Sequence, residues 1–211
     1  MSPATIFVAA SFVALLALVI NVERARSVSS YDLVVMAVLG AVAGVSRIPF
    51  AGLPSVQPVT FIVICSGVAL GARAGMVVGV LAALLSNSVL GHGPWTLVQM
   101  LSWGAIGLAS GYLSSFKSKV SLLVLWGAIA GFVFGWFMDL WFWLAFAYPL
   151  SLSTLLLSVA ASAWFDGAHA ATNAALLFVG GADLIKLLHR YRSDTRKNVN
   201  QDFIEIIETV Q

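Results

Sequence analysis

From residue 3 to residue 188 the chain is a succession of apolar runs, interrupted only by short polar, glycine or proline segments. A bilayer core of about 30 Å takes about 20 apolar residues per helix. Within that core only helices and closed barrels satisfy their own backbone groups. The composition agrees, with 60% hydrophobic residues, 9% charged residues and a mean hydropathy of +0.97, well outside the range of soluble domains. An all-α polytopic membrane protein is therefore expected, with room in 211 residues for roughly six or seven helices. So little remains outside the membrane that aqueous chemistry must come from partners. The single cysteine, Cys65, lies inside an apolar run; it excludes an intrachain disulfide framework or a cysteine metal site and reads as packing.

The runs are 3–22, 33–46, 59–70, 76–90, 95–113, 122–147 and 153–188. The first has no basic residue before it and no small-residue cleavage pattern after it, so a retained helix fits better than a signal peptide. Between the second and third runs, residues 47–58 contain Pro49, Pro54 and Pro58, which forbid a regular helix and predict a structured or re-entrant loop. Run 59–70 is short for a span, so the loop is expected to complete the membrane depth. Residues 71–75, Gly-Ala-Arg-Ala-Gly, read as the next break. At 91–94, Gly-His-Gly-Pro ends one helix and starts another, with Pro94 tolerated where a helix's first N–H groups lack partners anyway. Residues 114–119 form a polar turn, and Tyr148-Pro149 closes the aromatic run. The polar tail, 193–211, is expected to carry at most a short amphipathic helix around 203–207.

The basic residues test this layout. With the N-terminus outside, the cytoplasmic segments hold Arg24, Arg26, Arg73, Lys117, Lys119, Lys186, Arg190, Arg192, Arg196 and Lys197, ten of the eleven Lys and Arg. This asymmetry sets the orientation, with the C-terminus cytoplasmic. Arg47 alone falls outside. It has no topological role, which makes it a candidate for function.

Polar side chains within the spans collect toward the same external side. Asn87, His92, Trp95, Gln99 and Trp103 cluster about the glycine-proline break, and Gln57 sits in the proline-rich loop. Phe132, Trp136, Asp139 and Trp143 share one helical stripe, and Ser162, Asp166, His169 and Asn173 share another. Intramembrane acids are costly, about 2.5–3.5 kcal/mol each on insertion scales, and should face protein or water. Polar groups beside aromatic rings suit a flat, partly apolar ligand. Structural alternatives stand beside that reading: Asp166 and His169 as an interhelical pair, the tryptophans as an interfacial belt, and Asp139 as an ion-pair partner of Arg47.

No Gly-Lys phosphate loop, His-x-x-x-His set or Cys-x-x-Cys pair is present, so ATP hydrolysis by that loop and a metal site of those types are not expected. No cofactor and no nucleic-acid partner are expected either. The surroundings of Asp139 and Asp166 do not resemble the Tyr-Asp and Gly-x-Gly-Asp signatures of intramembrane aspartyl proteases.

Arg47-Ile-Pro with Pro54-Ser-Val-Gln-Pro-Val-Thr, Gly67 with Gly71-Ala-Arg-Ala-Gly75 and Gly79, and Gly91-His-Gly-Pro-Trp95 with Gln99-Met and Trp103-Gly carry a resemblance. Across residues 31–192 the chain resembles a substrate-binding S component of an energy-coupling factor (ECF) vitamin transporter, most similar to the cobalamin-type group. The resemblance implies a six-helix substrate-binding bundle at 28–192; the extra N-terminal transmembrane helix and turn at 1–27 depart from the family pattern, and the cytoplasmic polar tail at 193–211 follows the bundle. It implies a multi-pass protein of the cytoplasmic membrane with an external vitamin site gated by the 47–58 loop, for which topology and stripe spacing nominate Arg47, Gln57, Asn87, His92, Trp95, Gln99, Trp103, Asp139, Trp143, Asp166, His169 and Asn173. It also implies an Ala-x-x-x-Ala face, here Ala37 and Ala41 continued by Gly40 and Gly44, that docks on a transmembrane coupling protein driven by two cytoplasmic ATPases. The alternatives are an S component for riboflavin, a queuosine precursor or pantothenate, and a membrane scaffold whose polar stripes only hold helices together.

Overall fold

The computed structural model describes residues 2–23, 30–116 and 119–193. All regular structure among them is helical: α1 (Pro3–Glu23), α2 (Ser30–Val45), α3 (Val59–Leu70), α4 (Ala72–Leu90), α5 (Trp95–Tyr112), α6 (Val120–Phe146) and α7 (Leu152–Leu176). The last runs through a π turn at Leu177–Gly181 and stays helical to Ser193, 42 residues from Leu152. Arg24, Arg26, Lys117, Arg196, Lys197 and the 203–207 segment lie outside the described residues.

Among the described residues, four helical stretches are long and apolar enough to cross a membrane: Ser30–Phe50, Ala72–Leu90, Val120–Phe146 and Leu152–Ser193. At 1.5 Å per residue, the 12 residues of α3 rise only about 18 Å. This shortness has a tertiary counterpart. α3 is the axis of the bundle, in contact with α2, α4, α5, α6 and α7, and nearly all of it is buried. A helix enclosed on every side has no polar face to present, which accounts for a sequence without a charged residue, in which only Thr60 and Ser66 carry polar side chains. The 46–58 connection before it contains one 3-10 turn, Ile48–Phe50, and no longer helix, as its three prolines require.

Two tight turns join the neighbouring helices. Gly71 at φ +100° ends α3 and Gly91 at φ +105° ends α4, conformations that glycine adopts without a Cβ penalty. Only Gly71 breaks the chain in the 71–75 segment; α4 already begins at Ala72, so the expected longer break is corrected. Gly75 stays helical because its missing side chain lets α4 lie against the Gly67 Cα and the Gly107 carbonyl. Gly79 lies on the Trp103 backbone and Gly111 on Ala72. Where lipid supplies no hydrophobic drive between helices, such close backbone approach is a main source of association. Replacing Gly107 by valine should therefore cost about 1–3 kcal/mol or more through overpacking, read as lost yield of monodisperse protein in detergent. Gly52→Ala, with open space about its position, should leave the yield unchanged.

α6 presents Gly127, Gly131 and Gly135 to α7, against Leu177 and Asn173, Ala170, and Asp166 respectively. Ser151 and Thr154 form a capping box at the start of α7, satisfying first-turn N–H groups. α1 packs on α5 and α6, with Ser11 and Leu15 buried. Cys65 is buried at 4.0 Å from the Gly181 carbonyl, a packing position as expected. Large exposed apolar side chains, such as Val34, Val38, Phe142, Leu157 and Phe178, suit a lipid surround.

Candidate functional site

The polar residues gather at one end of the bundle, where α2 and α4 end and α3 and α5 begin. Arg47 lies two residues past the end of α2 and is only 7% exposed. Its Nε donates to Gln57 Oε1 (2.9 Å), and its Nη1 donates to Ser86 Oγ and to Asn87 Oδ1 (3.2 Å). The guanidinium lies 4.8 Å from the Trp103 ring centroid, a cation–π contact. Thus one side chain ties the loop, α4 and α5 together, solvated by neutral acceptors in place of a counter-ion.

The network continues in two directions. Asn87 Nδ2 donates to Thr96 Oγ1 (3.0 Å) and Gln99 Oε1 (2.7 Å). Trp103, 1% exposed, donates from Nε1 to Thr60 Oγ1 at 2.9 Å, and Thr60 Oγ1 meets His169 Nε2 at 2.9 Å. The Trp103 indole only donates, so the Thr60 oxygen accepts from it and joins it to the His169 ring nitrogen, the direction of the second bond being set by the imidazole tautomer. Phe134 stacks on Trp103 with centroids 4.5 Å apart and meets His169 edge-on at 5.1 Å. Arg47, Gln57, Asn87, Gln99, Trp103 and His169 thus form one connected set spanning the loop, α3, α4, α5 and α7.

The remaining candidates lie elsewhere. His92 is exposed and only loosely placed, 3.3 Å from Ser88 Oγ and 3.4 Å from Thr96 Oγ1. Trp95 is at the surface, edge-on to Trp141. Trp143 donates to Thr154 Oγ1 (2.9 Å) and so braces the turn between α6 and α7. Asn173 is fully buried lower on α7, 3.4 Å from the Gly127 carbonyl, in the helix seam. On α6 the proposed stripe divides: Phe132 and Trp136 face outward while Asp139 is buried.

Asp139 does not pair with Arg47. It accepts from Ser162 Oγ at 2.6 Å, and the same hydroxyl lies 3.2 Å from Asp166 Oδ2. The two acids are 9% and 6% exposed, and Gly135 leaves the space that the Asp166 carboxylate fills. Asp166 and His169 are likewise not partners of each other: Asp166 meets Ser162 of its own helix and packs at Gly135 of α6, whereas His169 bonds to Thr60 of α3. Ser162 has one hydrogen to share among two carboxylates and the Val159 carbonyl at 3.0 Å, so acceptors outnumber donors here. Asp166→Asn supplies two donors and removes a like charge, and should leave thermal stability in detergent unchanged or raise it. Ser162→Ala removes the shared donor and should lower stability by about 1–3 kcal/mol.

The family model for the ECF transporter, substrate-specific component, matches residues 31–187. The chain belongs to that family. It is the membrane substrate-binding subunit of an ECF transporter, a transport component rather than an enzyme. Its family implies a small-molecule substrate, a coupling protein and ATPases. No curated protein and no solved structure matches the chain. The match begins at Tyr31, so α1 precedes the part of this S component that the family shares.

Reading the sequence missed four participants: Thr60, Ser86, Thr96 and Phe134. Thr96 was discoverable, since it falls on the same face of α5 as Gln99 and Trp103. Ser86 and Thr60 were hidden because small hydroxyl residues are common in membrane helices, where they bond their own backbone. Ser86 does so, donating to the Ala82 carbonyl at 2.7 Å, while its oxygen also receives Arg47.

Proposed function

We propose that this S component captures a vitamin, cobalamin or a related compound, at the external face of the cytoplasmic membrane. Its N-terminus lies outside and its C-terminus inside, as the distribution of basic residues suggests. Substrate is held at the end of the bundle where Arg47, Gln57, Asn87, Gln99, Trp103 and His169 meet, with Asp139 and Asp166 beside it and His92 and Trp95 at its rim. Trp143 and Asn173 act by holding helices together. Delivery follows docking of the α2 face bearing Ala37 and Ala41 on the coupling protein, driven by two cytoplasmic ATPases.

The observation that carries this reading is the buried Arg47 network. A charge this far from water is expensive to keep, and its bonds tie the gating loop to the helices that would surround a ligand. Riboflavin, a queuosine precursor or pantothenate are the alternatives on the same architecture, and a scaffold is the alternative outside transport. Purification without removal of endogenous ligand tests all of them. A bound compound with corrin absorbance is the expected result; a flavin spectrum moves the assignment to riboflavin. Protein that retains no small molecule and supports no uptake beside its coupling partners supports the scaffold.

A further inference from the structure

The hydrogen bonds around Arg47 dictate which way every neighbouring amide faces. A guanidinium has only donors, so Asn87 must turn its oxygen to Arg47 and its nitrogen away. That nitrogen then donates to Gln99, so Gln99 presents its oxygen inward and its own Nε2 outward. Gln57 likewise gives its oxygen to Arg47 Nε and points Nε2 away. The arginine thus polarises the cluster: its unspent groups are Arg47 Nη2, Gln57 Nε2 and Gln99 Nε2, which are all N–H donors.

None of these three nitrogens has a partner among the described residues. Every buried side-chain nitrogen among those residues does have one, the atoms left without partners being oxygens. The three donors therefore stay accessible although Arg47 itself is nine-tenths buried. Arg47 also lacks a carboxylate partner, since both intramembrane acids are engaged with Ser162.

Resting on the transport reading above, we infer that the substrate presents an oxyanion, a carboxylate or a phosphate, to the donor edge formed by Arg47, Gln57 and Gln99. Hydrogen bonds from a guanidinium to an oxyanion are among the strongest available to a protein, and an acceptor-only group is the complement of a donor-only edge. Of the candidate ligands, cobalamin brings a phosphodiester and pantothenate a carboxylate, whereas riboflavin and the queuosine bases bring neither.

The test compares thermal unfolding of purified, ligand-depleted protein in acetate or inorganic phosphate with that in chloride at matched ionic strength. Both oxyanions should raise the midpoint saturably in the wild type. Arg47→Gln should lose the effect. Gln57→Glu, a loop substitution that folds even if Arg47→Gln does not, offers the arginine an internal carboxylate, and should raise the midpoint without added oxyanion and abolish the response. An unresponsive wild type, or an equal response in Gln57→Glu, overturns the inference. In parallel, the compound retained by native protein is identified by mass spectrometry and should carry a carboxylate or phosphate. Its affinity should exceed that of its amide or dephosphorylated analogue by about tenfold or more. A retained neutral compound overturns the oxyanion inference while the transport reading stands, and a phospholipid as the retained molecule also overturns it. An oxyanion response with no retained compound and no uptake supports the donor edge and overturns the transport reading.

Discussion

Arg47→Ala is expected to weaken substrate capture severely without disturbing membrane insertion. The reason lies in what the side chain leaves behind. Three neutral acceptors, Gln57 Oε1, Ser86 Oγ and Asn87 Oδ1, are turned toward it, and the Trp103 ring is covered by it. Truncation strands those acceptors in a buried setting and frees the Gln57 and Asn87 amides to rotate, so the loop loses its tie to α4. Removing one partner of a buried, hydrogen-bonded charge costs about 2–5 kcal/mol, a loss of about thirtyfold or more in affinity. Insertion should persist because ten other basic residues bias orientation. Retained ligand per mole of protein, set against the yield in the membrane fraction, measures both halves. Undiminished ligand retention would reduce Arg47 to a loop anchor.

The Ala37→Leu, Ala41→Leu double variant should separate docking from binding, with near-normal ligand retention by the isolated protein and no uptake when coupling partners are present. α2 has two faces with different duties. Gly40 and Gly44 are buried against Leu81 and against the Ala82 and Ser86 backbones of α4, so the structure removes them from the expected docking surface and assigns them to internal packing. Ala37 is exposed and Ala41 half-buried, beside exposed Leu33, Val34, Val38 and Val42. Small residues at four-residue spacing permit close backbone approach by a partner helix, and two leucines would hold that partner off. α1 packs on α5 and α6. Uptake measured in cells with the coupling module, beside ligand retention by purified protein, gives the two readouts. Lost retention in the isolated double variant would mean that Ala41 packs inside, and full uptake would mean that the coupling protein docks elsewhere.

Much of this was legible in the residues themselves. Hydrophobic run length marked the seven described helices, because the bilayer demands continuous apolar segments and punishes polar ones; the largest disagreement, at 71–75, arose where Gly75 served packing instead of a turn. The spacing of Gln99 and Trp103 on one face of α5, and of Asp166 and His169 on α7, likewise followed from helix geometry alone. Arg47 stood out because the topology expected from the charge pattern leaves it alone among the basic residues on the opposite side. What only the tertiary structure decided was pairing. Periodicity says which residues share a face, but not which helix that face meets, so Asp139 could be assigned to Arg47 when it bonds to Ser162. Phe132 and Trp136 could be drawn inward when a rotation of α6 turns them out. The central position of α3, and with it the placement of Thr60 between Trp103 and His169, depends on how six helices close around the shortest of them, a contest among packing contacts far apart in the chain that no local pattern encodes.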